Sequence, residues 1–343
     1  MRRLAPLPRI SVALSLAAAC ACAHAPAQTA PREEVLWPAP PDAPRVRLSA
    51  EFPDPDAPPP RRSWFRAAID AIAGATPDDL RRADALARPF GVAALPGGGF
   101  AVADPDGPAV LRVDAAHGTT RLGCARREWN APMAIAPAPD GSLWIADGGA
   151  AAVVRIAPDG ACSTIGEGLL ERPTGLALDG DRLAVVDPPR HQVVVLSLDG
   201  RELARWGALG EGDGQLHFPT AIARATDGSF LVVDALNFRV ARFGPDGTWR
   251  GAFGFPGEAG GAFARPKAIA VDETGLIWVS DAQRDAVLVF SPDGEFEFAL
   301  GEGGAARGRL ALPAGVAVAR DRLYVADSHN HRVQVFEILG GPR

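Results

Sequence analysis

Six aspartates stand at matching places in this 343-residue chain: Asp104, Asp147, Asp187, Asp234, Asp281 and Asp327, each closing a short apolar run. Carboxylates recurring in that way could gather a hard cation. An aspartate at the end of a strand also caps the turn that follows by accepting its backbone N–H groups, and it recurs because the turn recurs. The capping reading is the stronger, and no metal is assigned. The histidines are His24, His117, His191, His217, His329 and His331. None lies in the apolar run that opens a repeat, so three imidazoles converging on zinc are not expected. Cys124 and Cys162 are the thiols beyond the N-terminal segment, and no Cys-x-x-Cys is written. Whether the two pair depends on a geometry that spacing does not fix. Nucleophile elbow, His-Glu-x-x-His and Walker loop are all missing from the sequence, and no cofactor is expected. Catalysis by residues scattered along the chain stays open, because such a site announces itself in no local motif.

The elements that must position these residues are written as a repeat. Each aspartate follows, by fourteen or fifteen residues, a proline that begins a small-residue and apolar run: Pro89, Pro132, Pro173, Pro219, Pro266 and Pro313. The intervals between these prolines run from 41 to 47 residues. A third apolar strand follows each aspartate. Asp-Gly turns of the kind that close tight hairpins come next, at Asp159-Gly160, Asp199-Gly200, Asp246-Gly247 and Asp293-Gly294. Four short strands in such a period make a β-propeller blade. No unit can bury its apolar face alone, so six of them must close a ring. The sixth unit stops after its third strand, near Leu339, which leaves a bare edge. The alternating run 45–52 is predicted to fill that edge. The expected fold is all-β: a six-bladed propeller whose last blade is closed by an N-terminal strand, with blades opening at 89, 132, 173, 219, 266 and 313 within a domain spanning 45–340.

At the end of the last unit, Ala326-Asp327-Ser328-His329-Asn330-His331-Arg332-Val333-Gln334-Val335-Phe336 closely resembles the NHL repeat. The linker from Gly207 to Pro219 likewise resembles the glycine-rich connection between NHL blades, and the likeness extends from Pro89 to Leu339. The resemblance implies the fold and leaves function open. The arginine five residues after the aspartate is kept as Arg239 and Arg332, whereas Ala109, Ala152, Gln192 and Ala286 stand elsewhere. Any ring of Asp–Arg pairs is therefore expected to be incomplete. Related propellers include a zinc-dependent amidating lyase, which needs channel-facing His ligands with Arg and Tyr. Tyr324, the one tyrosine, sits on a second strand and departs from that pattern.

Ahead of the repeats, Arg2, Arg3 and Arg9 precede an apolar run from Ile10 to Ala19, the form of a secretory signal over 1–19. Leu16-Ala17-Ala18-Ala19-Cys20 resembles a lipobox, with Ala17 where that motif usually has leucine. The resemblance implies lipidation at Cys20 and, with Ala21 following, an outer-membrane anchor facing the periplasm or the cell surface. Cleavage after Ala27, releasing a soluble protein, is the alternative. Residues 20–44 read as an Ala- and Pro-rich tether. The insertion over 53–88 is predicted to be helical. Ser63 caps a short helix with Trp64, Phe65, Ala68, Ile69 and Ile72 on one face, and Thr76-Pro77-Asp78-Asp79 starts a second helix to about Ala87. It lies either on the loop face near the axis or against the side of the first blade.

Lys and Arg number 35 against 41 Asp and Glu, a net charge of −6. That balance excludes a nucleic-acid partner bound by counterion release. Basic charge is nearly all arginine, and Lys267, the single lysine, reads as codon bias without function. What remains for function is the loop face of the disc. Arg126, Arg127 and Trp129 fall between the first two blades, and Asn237, Phe238, Arg239, Arg284, His329, Asn330 and Arg332 fall at second-to-third-strand loops. Exposed Trp, Phe and Arg are the types that anchor interfaces; local packing is the alternative, notably for Trp129. The expected function is an exported, lipid-anchored binding or scaffold module for an envelope protein or small ligand. The runner-up is a propeller lyase or hydrolase with an axial site.

Overall fold

The computed structural model describes residues 34–39, 41–54, 86–116, 118–125 and 127–340. Six antiparallel sheets stand in a ring. Blade 4 is representative: Pro219–Arg224, Phe230–Asp234, Arg239–Phe243 and Trp249–Phe253 pair in sequence order. Blades 1, 2, 3 and 5 repeat that order from Gly91, Pro132, Gly175 and Pro266. Short strands of Val, Ile, Leu and Ala form because their branched and small side chains pack on both faces of a sheet buried between neighbours. The second strands are accordingly buried from end to end, as in Phe230–Asp234 and Ile277–Asp281. Among the described residues there is no α-helix, only single 3-10 turns such as Pro188–Arg190.

The ring closes as expected. Val46–Phe52 runs antiparallel to Arg332–Ile338, from the pair Val46 and Ile338 to the pair Phe52 and Val333, with a bulge between Leu48 and Ala50. The edge that the sixth unit leaves bare is thereby covered. A finding beyond the expectation is a fifth strand in this sheet: Leu36–Trp37 pairs with Arg47 and Val46. Trp37 packs edge-on to Phe336 with ring centroids 5.8 Å apart. The tether expected over 20–44 therefore ends earlier, because Glu34 onward joins the compact unit. Two residues are too short a run for any alternation to reveal. The signal segment, Cys20 and the predicted helices, as far as residue 85, lie outside the described residues.

Six apolar clusters fill the seams, each drawn from two adjoining blades. Trp278 and Val289 of blade 5 meet Leu323 and Phe336 of blade 6, and Tyr324 and Phe52 of blade 6 meet Phe100 of blade 1. Burial is thus supplied by the neighbour, the physical reason that a single unit does not stand alone. Close approach at the axis needs small residues. A Cβ on Gly315 would collide with the carbonyl oxygen of Phe90, and one on Gly91 with that of Met133.

Candidate functional site

The six strand-end aspartates prove to be structural, and more widely so than turn caps. Asp281 accepts backbone N–H bonds from Gln283 and Arg284 in its own turn and from Ala264 (2.7 Å) and Arg265 (2.9 Å) in the linker arriving at its blade. Asp104, Asp147 and Asp187 grip the two residues before their own prolines in the same way. Asp234 and Asp327 each take one such N–H, from His217 and Ala311, and an Arg in addition. A carboxylate is the one short side chain with enough lone pairs to hold both segments. Among the described residues no cluster of His, Cys, Asp or Glu could hold a metal ion.

The histidines have a related task. His191 and His331 end their 3-10 turns in left-handed backbone at φ 55° and 57°. From there the His191 Nδ1 accepts the Phe218 N–H at 3.0 Å, and the His331 Nδ1 meets the Ala87 carbonyl oxygen. Each joins one blade's loop to the linker entering the next. His24 and His117 lie outside the described residues.

Most of the predicted loop-face residues are tied into these linkers. Arg239 bonds Asp234 (Nε to Oδ2, 2.8 Å) and the carbonyls of Glu211, Gly212 and Gln215, while lying over the Trp249 ring. Arg332 bonds Asp327, Glu51 and the carbonyls of Ala306 and Arg309. Asn237 and Asn330 donate to the carbonyls of Gly210 and Gly304, and Arg284 to those of Gly257 and Ala259. Trp129 is buried, with its indole N–H on the Leu122 carbonyl, so local packing prevails over the interface reading. Arg127 bonds the Thr164 hydroxyl and lies 3.8 Å from Asp147. Phe238 is half-buried against the seam between blades 4 and 5. Of the set, His329 is exposed and stacks loosely on His331, and Arg126 lies outside the described residues. Most of these side chains thus carry contacts within the fold. Linker carbonyls need donors, and the polar loop residues nearest to them supply those donors.

The loop face also exposes large apolar side chains. Of the eight exposed large apolar side chains among the described residues, five stand there: Leu209, Phe218, Leu236, Phe255 and Leu312. They range from 40% exposed for Phe218 to 61% for Leu209. Phe218 and Leu312 occupy the place just before a blade's opening proline, and both have left-handed backbone, at φ 55° and 49°. In the other blades the N–H at this place goes to the strand-end aspartate. Here it goes to His191 in one case and to the Asp285 carboxylate, at 2.8 Å, in the other. A left-handed conformation costs a non-glycine residue on the order of 1 kcal/mol.

The innermost strands line an axial channel of about 350 Å³. Its wall is mainly Gly, Ala, Val, Ile and Leu with Phe90 and Met133, and includes Arg224, paired with Asp179 at 2.7 Å; hydroxyls turn into the sheet, Thr174 donating to the Thr220 carbonyl and Thr220 to the Lys267 carbonyl, each at 2.9 Å. Lys267, read from the sequence as codon bias, opens the innermost strand of blade 5 and lines this channel. Burial lowers its pKa from the ordinary 10.5, and the nearby charges of Arg265 and Arg88 lower it further. A sequence signal did exist, since one lysine stands in a chain that otherwise uses arginine. Tyr324 lies on the seam of blades 6 and 1, its ring 5.3 Å from Phe100, and burial raises its phenol pKa. It faces a cleft of about 690 Å³ on the opposite side of the disc, away from the loop face.

Cys124 and Cys162 form a disulfide with Cα atoms 5.9 Å apart, joining the linker after blade 1 to the outer strand of blade 2.

The NHL repeat model matches residues 310–336 of the chain. No curated protein sequence matches it. Similar solved structures are propellers of several kinds. Virginiamycin B lyase from Staphylococcus aureus is 14% identical with a TM-score of 0.56, over 74% of this chain and 96% of that one. A gluconolactonase from Xanthomonas campestris is 18% identical at a TM-score of 0.58, over 74% and 87%. A chain of a nidogen/laminin complex is 17% identical at 0.54, over 70% and 86%. At these identities the likeness is one of fold alone.

Proposed function

We propose that this six-bladed propeller is an exported, lipid-anchored binding module of the bacterial envelope. It is held to the outer membrane through Cys20 and engages a partner protein through its loop face over blades 4 to 6. The observation that carries the reading is the outward placement of Leu209, Phe218, Leu236, Phe255 and Leu312. Large apolar side chains gathered on one face of a soluble domain are unfavourable unless something covers them. Two of them, moreover, sit in a backbone conformation that their residue types disfavour. The disulfide adds support for export, since such bonds persist in oxidising compartments. Mild acidity favours a protein partner over nucleic acid. A second reading, an axial lyase or hydrolase, is favoured by Lys267, an ionisable group of altered pKa at the channel.

The test is affinity capture from membranes of a producing strain, followed by mass spectrometry, with wild type and a Phe218→Ser/Leu236→Ser variant side by side. A partner that binds at an apolar hot spot should be lost by about 30-fold or more in the variant. Equal capture by both proteins would overturn the loop-face reading. Cys20→Ala should move the protein to the soluble fraction, and retention at the membrane would overturn the anchor.

A further inference from the structure

The mouth of the axial channel carries a second, independent feature. The residue just before each opening proline forms a rim of six: Arg88, Ala131, Arg172, Phe218, Arg265 and Leu312. Arginine thus occupies alternate blades, 1, 3 and 5. The backbone N–H of each of these arginines is fixed by a strand-end aspartate, to Asp104, Asp187 and Asp281, while its side chain stays exposed. One step inward, the residue after the proline is Phe90, Met133, Thr174, Thr220 or Lys267 in the five blades whose residue there lines the channel. Lys267 is the one cation of that layer. Both Thr hydroxyls are already bonded to backbone carbonyls.

Among the described residues no carboxylate pairs with Lys267, Arg172 or Arg265. Near the rim, the buried carboxylates of Asp104, Asp187 and Asp281 hold the rim backbone N–H groups and pair with no rim side chain, Glu171 lies 3.5 Å from Arg190, and Asp106 meets Arg88 at 3.6 Å with both side chains more than half exposed. Lys267 lines the channel from blade 5, and the positive charges of Arg265 and Arg88 act on it. In a protein of net charge −6, a half-buried ammonium at a channel with exposed guanidinium groups acting on it is unfavourable unless an anion joins them.

We propose that the axial mouth is a binding site for a small molecule bearing two or more oxyanion groups, carboxylate or phosphate. One group enters the channel to the Lys267 ammonium, and another is held at the rim by Arg265 and Arg88. A space of about 350 Å³ admits a molecule of a dozen or so heavy atoms. Planar guanidinium groups suit paired oxyanion oxygens at the open rim, and a compact ammonium suits the narrow channel. The apolar wall of Ala, Val and Ile below Lys267 would take the carbon skeleton of a carboxylate better than a second charge.

The experiment is calorimetric titration of the full chain with citrate and with pyrophosphate, which stand for the two oxyanion sources. Binding of citrate alone assigns carboxylates, and binding of pyrophosphate alone assigns phosphates. Lys267→Met should weaken binding by about tenfold or more, and Arg265→Gln by a smaller factor, with Arg201→Gln on the opposite face leaving it unchanged. An occupant anion favours the charged ammonium. Between the lowered pKa of the free protein and the ordinary 10.5, binding should therefore draw protons from the buffer. Enthalpies in buffers of different ionisation heat reveal that uptake, and Lys267→Met should abolish it. The variant should melt no lower than wild type, since it removes an unpaired, partly buried charge. Failure of both probes to bind wild type, or binding within twofold of wild type in Lys267→Met, would overturn the proposal.

Discussion

Replacement of Asp281 by asparagine isolates the device that fastens linker to blade. Its carboxylate is fully buried, with Oδ1 accepting N–H bonds from Arg265, Gln283 and Arg284 at 2.9, 3.1 and 3.2 Å and Oδ2 accepting one from Ala264 at 2.7 Å. Asparagine keeps one oxygen. If that oxygen takes the three bonds of Oδ1, the amide NH2 faces the Ala264 N–H, donor against donor. The shortest bond is then lost and a buried N–H is left without an acceptor. A charged hydrogen bond contributes about 1.5–3 kcal/mol and an orphaned buried group costs about 1–3 kcal/mol. Relief of the buried charge offsets part of this, which leaves a loss of about 3 kcal/mol, or a melting temperature lower by roughly 6–10 °C. The assay is calorimetric or denaturant unfolding of Asp281→Asn beside Asp293→Asn, the latter in an exposed turn and expected to differ little from wild type. A loss below about 0.5 kcal/mol would refute the fastening role. So would a melting temperature of wild type that falls in chelator, since a bound cation would then be the carboxylate's partner.

Two further outcomes are expected. Cys124→Ser/Cys162→Ser frees a loop with a sequence separation of 38, and chain entropy sets the resulting loss at up to about 4 kcal/mol. Thermal melts with and without reductant check it, and identical melts after confirmed reduction would contradict it. At acid pH, Asp140 is held at about 2, below the ordinary 3.8, chiefly by the Ser142 hydroxyl and then by the Ser142 N–H and Arg155. A depressed carboxylate stabilises the fold above 3.8 and loses that contribution as pH falls towards about 2. In Asp140→Asn the acid limb of the stability curve should therefore be shallower over that interval, and superimposable curves would count against the Ser142 contacts.

The amino-acid sequence by itself determined the blade number, the strand order within each blade and the N-terminal strand that shuts the ring. These follow from local rules: an alternation that exposes or buries whole faces, Asp-Gly turns, and an unpaired edge that the alternating run over 45–52 fits. It also marked the strand-end aspartates, although only the half of their role that lies in their own turn, since the linker N–H groups they hold belong to residues about sixteen positions earlier. Leu36–Trp37 escaped notice because two residues carry no period. What the loop-face side chains do was decided by tertiary structure alone. In the sequence Arg239 and Arg332 stand five residues after an aspartate and read both as its partners and as loop-face candidates. Folding brings linker carbonyls to them, and a carbonyl leaves no trace in a residue's identity. Phe218 and Leu312 are exposed on left-handed backbone, which their residue identities do not announce. Lys267 is the clearest instance. Its solitude was visible from the start, but only the convergence of six inner strands sets it in a channel beside Arg265 and Arg88, because nearness across a ring is a property of closure and not of any stretch of chain.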